Sequence, residues 1–191
     1  MSTEDKKTSV YTTMRTILSF IDSPGEQKNR AGYLAAIRKS IGKRNEEAAE
    51  VWPILFPHIP QEYLGTGSLN YAEKALLVSL QLYAIGQQGT DKTQNEEGIS
   101  FGSSLQRIRD EKSAPLDNRF NAMLTATTFD EFTYHLRQIY KLGKAKSTFS
   151  VSFPALAQDL FWYQAGRDKY VCLKWARDYY RQAPKNNNDK S

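Results

Sequence analysis

The sequence predicts an all-α fold of two small helical-bundle lobes joined by a polar linker. Two observations carry this. Apolar residues recur at steps of three and four in nearly every segment. Strict alternation of the strand type is confined to Phe149, Ser150, Val151, Ser152 and Phe153, and one strand without a partner does not make a sheet. That stretch is therefore read as an extended lead into a helix, with Ser152 as cap and Pro154 in the first turn, where its missing N–H costs nothing.

In chain order, the first helical stripe is Tyr11, Met14, Leu18 and Ile21, and the second is Leu34, Ile37 and Ile41. Pro53, Pro57 and Pro60 break the stretch from Trp52 to Leu64 into short turns or one-turn helices. Leu76, Leu80 and Tyr83 mark a third stripe, which closes an N-terminal lobe at residues 1–85. Residues 86–100 are rich in Gly, Gln, Thr and Asn and carry no apolar period, the mark of a functional or mobile linker. The C-terminal lobe, 101–182, follows with Phe101, Leu105 and Ile108, then Phe129, Phe132, Leu136 and Ile139, then Phe153, Leu156, Leu160 and Tyr163. Residues 183–191 offer nothing to bury and are expected to be a disordered tail.

With 191 residues, 40% of them hydrophobic and 12% aromatic, the chain can fill one good core or two small ones. Cys172 is its only cysteine, which excludes an intrachain disulfide and fits a reducing cytoplasm. The N-terminus is polar and acidic, unlike a signal peptide, and the most apolar run, 75–85, is interrupted by Ser79 and Gln81, so neither targeting to nor spanning of a membrane is expected.

No assembled active site is visible. His58 sits between prolines, His135 is the other imidazole, and Cys172 has no ligand at metal spacing. Glu46, Glu47 and Glu50 place carboxylates on one helical side, for which a solvated acidic face is the plainer reading. No glycine-rich loop precedes a Lys-Ser or Lys-Thr pair. Neither catalytic residues nor a metal or cofactor is expected.

The positive chemistry is basic. The formal charge is +5, and between Gln27 and Asn45 stand Lys28, Arg30, Arg38, Lys39, Lys43 and Arg44 with no acid among them. Such a run attracts a polyanion within a Debye length of about 8 Å. A second acid-free cluster spans Arg137 to Lys146. On a helix over 128–142, Phe129, Phe132, Leu136, Ile139 and Tyr140 fall within a sector of about 100°, with Arg137 and Lys141 on its flank and Lys144 beyond. The last helix repeats the plan: Val171, Trp175 and Tyr179 form one face, while Lys174, Arg177 and Arg181 form another. Any amphipathic helix solvates its outer side with Lys and Arg, but three such stripes in one small chain favour a nucleic-acid face. Arginine is the more informative cation, because its planar fork grips two phosphate oxygens and stacks on bases. Arg107, Arg109, Arg119 and Arg137 are therefore singled out, with a salt bridge to Asp117 or Glu131 as the alternative for Arg119. A phosphate contact is the lesser reading of His135. Tyr163, Tyr170, Tyr179 and Tyr180 are read first as core or interface residues and second as base-stacking platforms.

Several phrases, in order, resemble the CasB family, the small subunit of the type I-E CRISPR surveillance complex Cascade. They are Gly32-Tyr-Leu-Ala-Ala-Ile-Arg-Lys, Trp52-Pro-Ile-Leu-Phe-Pro, Leu80-Gln-Leu-Tyr-Ala-Ile-Gly-Gln-Gln and Ile99-Ser-Phe-Gly-Ser-Ser-Leu, followed by Arg119-Phe-Asn-Ala-Met-Leu-Thr-Ala, His135-Leu-Arg-Gln, Ala157-Gln-Asp-Leu and Trp175-Ala-Arg-Asp-Tyr-Tyr-Arg. The resemblance runs from about Asn29 to Tyr180. Gly86 departs from it, standing where the family commonly has His, and the helix at Ala155 lacks the usual acidic cap. The resemblance implies an all-helical subunit without catalytic activity. It also implies two copies lying head to tail along the complex, beside the CasA large subunit, the CasC backbone, CasD and CasE. Its implied ligands are the guide RNA (crRNA) and the target DNA with its displaced strand, held in the R-loop during antiviral defence. A purely protein-binding helical adaptor with a basic surface is the alternative function, and a hydrolase using Glu46, Glu50 or His135 is a third.

Overall fold

The structure is a computed structural model that describes residues 3–43, 45–90, 94–110 and 112–181, and of residues 3–9 and 45–47 only the backbone. The tail at 183–191 and Arg44 lie outside the described residues. The all-α expectation holds. The helices are α1 (Thr3–Ile21), α2 (Gln27–Lys39), the single turn α3 (Trp52–Leu55), α4 (Tyr71–Gly86), α5 (Phe101–Gln106), α6 (Ala114–Leu124), α7 (Phe129–Lys144), α8 (Phe153–Trp162) and α9 (Asp168–Tyr180). The prolines act as expected: after α3, residues 56–58 and 61–63 form only 3-10 turns.

The centre is α4. Asn70 and Glu73 start it with a reciprocal capping box, each side chain accepting from the other's backbone N–H at 2.8–3.0 Å. Beyond that first turn nearly every residue to Gly86 is buried. The helix α8 packs on both α1 and α4, so the helices before and after residues 86–100 share one buried cluster. Ser79 Oγ donates to the Phe153 carbonyl at 2.9 Å across that seam, which lets a hydroxyl sit inside the core without an unmet donor. Elsewhere α6 and α7 form a helical hairpin, and α5 lies against α9. Gly102 makes the α5–α9 approach possible, since a Cβ there would run into the Trp175 backbone carbonyl.

The alternating stretch before α8 is paired after all, and its partner is the polar segment itself. Val151 N donates to the Gln94 carbonyl at 2.7 Å and Glu96 N to the Val151 carbonyl at 3.1 Å, an isolated parallel bridge. Phe153 N adds a bond to Asn95 Oδ1 at 3.1 Å. Part of the expected linker is therefore fastened to the connection before α8, because its backbone groups find partners there that periodicity does not reveal.

Candidate nucleic-acid interface

The stripes sit as the periodicity places them. In α7, Phe132, Leu136, Ile139 and Tyr140 are fully buried, and in α9 so are Val171, Trp175 and Tyr179. What periodicity leaves open is where each cation finds an acceptor, and on this the twelve described candidates divide.

One group is held by carboxylates of the same chain. Arg107 forks onto Glu96 at 2.7 and 2.9 Å, and Ser150 also donates to that carboxylate, which these two donors hold down to about 2. Arg109 pairs with Asp117 at 3.1 Å and lies over the rings of Tyr179 and Tyr180, 5.4 and 5.2 Å from their centroids. Lys174 donates to both oxygens of the buried Asp159 at 2.8 and 2.9 Å, and Trp175 Nε1 donates to the same carboxylate. Arg30 binds Asp22 at 2.9 Å, Gln87 at 2.9 Å and the Tyr83 hydroxyl at 3.3 Å. Lys39 makes an exposed pair with Glu50 at 3.6 Å.

A second group closes the C-terminus of α4, where the last carbonyls lack intrahelical donors. Arg38 Nη1 donates to the Ala84 carbonyl at 3.1 Å, and Lys144 Nζ donates to those of Ile85 and Gln88 at 2.5 and 3.0 Å. Both favour the negative end of the helix dipole. Burial, with Arg38 close by, lowers the Lys144 pKa. Gly86 belongs to this corner. A side chain there would collide with the Tyr140 hydroxyl, which instead donates to Gln94 Oε1 at 3.0 Å.

The third group is Lys43, Arg119, Arg137, Lys141 and Arg177. Among the described residues none of the five has a hydrogen bond or salt bridge from its side chain. Four are exposed, and Arg137 is half-buried. The acceptors suggested for Arg119 are occupied: Asp117 by Arg109 and Tyr179, and Glu131 by the N–H and hydroxyl of Thr127. Two members of this group meet in one cleft of about 350 Å³ between the end of α2, α4 and the start of α7. Lys43 and Arg137 line it with Lys74, a residue the sequence reading passed over because no other cation stands near it in the chain.

Burial pushes the Cys172 thiol up to about 11, so it is little ionised near neutrality. His58 packs against Phe20 with the rings tilted, 4.7 Å between centroids, and burial lowers its pKa. No group of three His, Cys, Asp or Glu side chains that could hold a metal ion occurs among the described residues. No helix among them is long and apolar enough to cross a membrane.

The family model for CRISPR-associated protein Cse2 matches residues 33–180. Three solved structures are similar in fold. CasB from Thermobifida fusca has a TM-score of 0.68 at 22% identity, covering 92% of this chain and 97% of its own. A CRISPR-associated protein of the Cse2 family from Thermus thermophilus gives 0.66 at 23% identity, covering 87% and 97%. A structure of CasB from Thermus thermophilus gives 0.65 at 23% identity over the same shares. No curated protein sequence matches the chain.

Proposed function

The chain belongs to the CRISPR-associated Cse2 family, and on that premise we propose that it is the small subunit of a type I-E Cascade complex. In this reading it works in the cytoplasm, without catalysing a reaction, and helps hold guide RNA, target DNA and the displaced strand in the R-loop. Two copies stand head to tail beside the CasA, CasC, CasD and CasE subunits. The observation that carries the reading is the set of five cations, four on helices and Lys43 in the turn after α2, with no acceptor in their own chain among the described residues. A cation that is not used to hold the fold together is available to an external polyanion, and three of the five are arginines. An R-loop asks for this kind of surface, because base pairing supplies the specificity and the strand exchange is nearly balanced in free energy. Backbone contacts without sequence readout are then sufficient to tip it.

Titration of the full chain with oligothymidylates of increasing length at low salt tests this. Affinity should rise with strand length and fall steeply with added salt. Binding that ignores length would favour the protein-binding adaptor instead. Co-purification of the tagged protein from its host should bring a guide RNA and the companion subunits.

A further inference from the structure

We infer that the cleft between α2, α4 and α7 binds an internucleotide phosphate of a single nucleic-acid strand, gripped by Arg137 with Lys43 and Lys74. This deepens the proposed function, and rests on it, by assigning one phosphate-binding site to named residues.

The cleft is polar in an uneven way. Its neutral groups are satisfied within the chain: Gln81 Nε2 donates to Ser40 Oγ at 2.9 Å, Ser40 Oγ to the Ile37 carbonyl at 2.7 Å, and Thr133 Oγ1 to the Asp130 carbonyl at 3.1 Å. Its three cations are not. Arg137 is the informative one, since its guanidinium is half-buried and, among the described residues, no acceptor lies within bonding distance of its N–H groups. Burial lowers its pKa, which is the mark of a charged group losing water without a matched partner, and Asp130 opposes that only by its charge. A partly desolvated fork whose N–H groups are left to water is well matched to two phosphate oxygens. Among the described residues, Asp130 is the single carboxylate lining the cleft, against three cations, which leaves net positive charge among them for a phosphodiester. The first turn of α7 also faces this space through Phe129 and Asp130, and the dipole end of that helix is positive.

The shape points to a strand in preference to a compact anion. Lys43 and Lys74 are exposed at the rim. Lys74 and Phe129 also line a neighbouring hollow of about 590 Å³ that continues to Tyr71, Thr127 and Gln164. The two hollows therefore form one track along the seam of α4 and α7. On that track Tyr71 is 52% exposed, and its ring offers a face on which a base can stack.

Fluorescence anisotropy with a short labelled oligothymidylate at low salt tests the assignment on the full chain. Arg137→Lys keeps the charge and most of the volume but loses the fork, and should weaken binding roughly tenfold. Lys74→Ala combined with Tyr71→Ala changes only exposed side chains and should cost at least about fivefold. The second variant keeps the assignment testable if the first disturbs folding, which a thermal melt reports. Unchanged strand affinity in both variants, with Arg119→Ala weakened, would overturn the cleft and leave the general reading standing. Absence of strand binding by the parent protein would overturn both. Inorganic phosphate at matched ionic strength should not displace the strand. Full displacement by it would make the cleft a small-anion site and overturn the strand assignment.

Discussion

Lys174 and Arg137 occupy equivalent places in the sequence pattern, each on the polar flank of an apolar stripe, yet the structure uses them in opposite ways. Lys174 reaches back to Asp159 on the preceding helix, and that carboxylate also takes the indole N–H of Trp175. Arg137 extends over the start of α7 into a cleft where, among the described residues, no carboxylate is within bonding distance. The same contrast separates Arg107, Arg109 and Lys174, which are all paired, from Lys43, Lys74 and Arg137 around the α2–α4–α7 cleft, which are not. A basic residue becomes a candidate contact for nucleic acid when its own chain gives it no acceptor. Position on a basic stripe is not enough.

The paired side can be broken most severely at Asp159. Removing its carboxylate leaves the Lys174 ammonium next to the core without a counter-charge and the buried indole N–H of Trp175 without an acceptor. Breaking a buried pair from one side costs about 3–5 kcal/mol. Lys174 is partly exposed, so Asp159→Ala should lose about 3 kcal/mol in urea unfolding while strand affinity per folded molecule stays unchanged. A loss below about 1 kcal/mol, the range of an exposed pair, would mean that the pair is decorative and that Lys174 can be released to a ligand at little cost.

The unpaired cations predict the reverse signature. Arg119→Ala together with Arg177→Ala removes two exposed guanidiniums that the fold does not use, and the change in stability should remain within about 0.5 kcal/mol per site. Strand binding should weaken, and the slope of log affinity against log salt should become shallower by about 1.4, at about 0.7 for each single-strand phosphate contact. A shallower slope from one variant alone would show which of the two residues reaches the strand. An unchanged slope would show that neither residue reaches the strand.

Much of this division was not legible in the sequence, for a definite reason. The stripes of α7 and α9 are short-range features, set by the helical turn of about 3.6 residues, and Leu136, Ile139, Trp175 and Tyr179 are buried where that period puts them. The pairing of cations is a long-range feature. Arg107 finds Glu96 only because the bridge between Asn95 and Val151 pins the polar segment near it, and Arg38 finds the Ala84 carbonyl only because α2 lies along α4. Likewise, which helices α8 joins depends on packing against α1 and α4 that its own apolar face does not specify. Lys74 carried one overlooked signal: it is the single cation in the sixteen-residue α4, which is otherwise almost wholly apolar or buried. A lone cation on such a helix marks a side open to solvent, and here that side borders the cleft.

The smallest test concerns the most exposed of the bidentate pairs. Glu96 is held down to about 2 by the Arg107 guanidinium and the Ser150 hydroxyl, against an ordinary value of 4.5. Because its pKa is depressed in the folded chain, its contribution to stability is complete above pH 4.5 and is lost as pH falls from there toward 2. Both partners are more than a third exposed, so solvent screening keeps that contribution below about 1 kcal/mol. Glu96→Gln should therefore lower stability near neutrality by less than about 1 kcal/mol, converge with the parent toward pH 2, and so flatten the acid limb by the same amount. The same variant frees Arg107 of its carboxylate. If the absence of an internal acceptor is what makes a cation available, the released guanidinium should steepen the salt dependence of strand binding by about 0.7. A flattened acid limb with no change in salt slope would show that availability is insufficient at this position, and that contact also requires a place along the seam of α4 and α7.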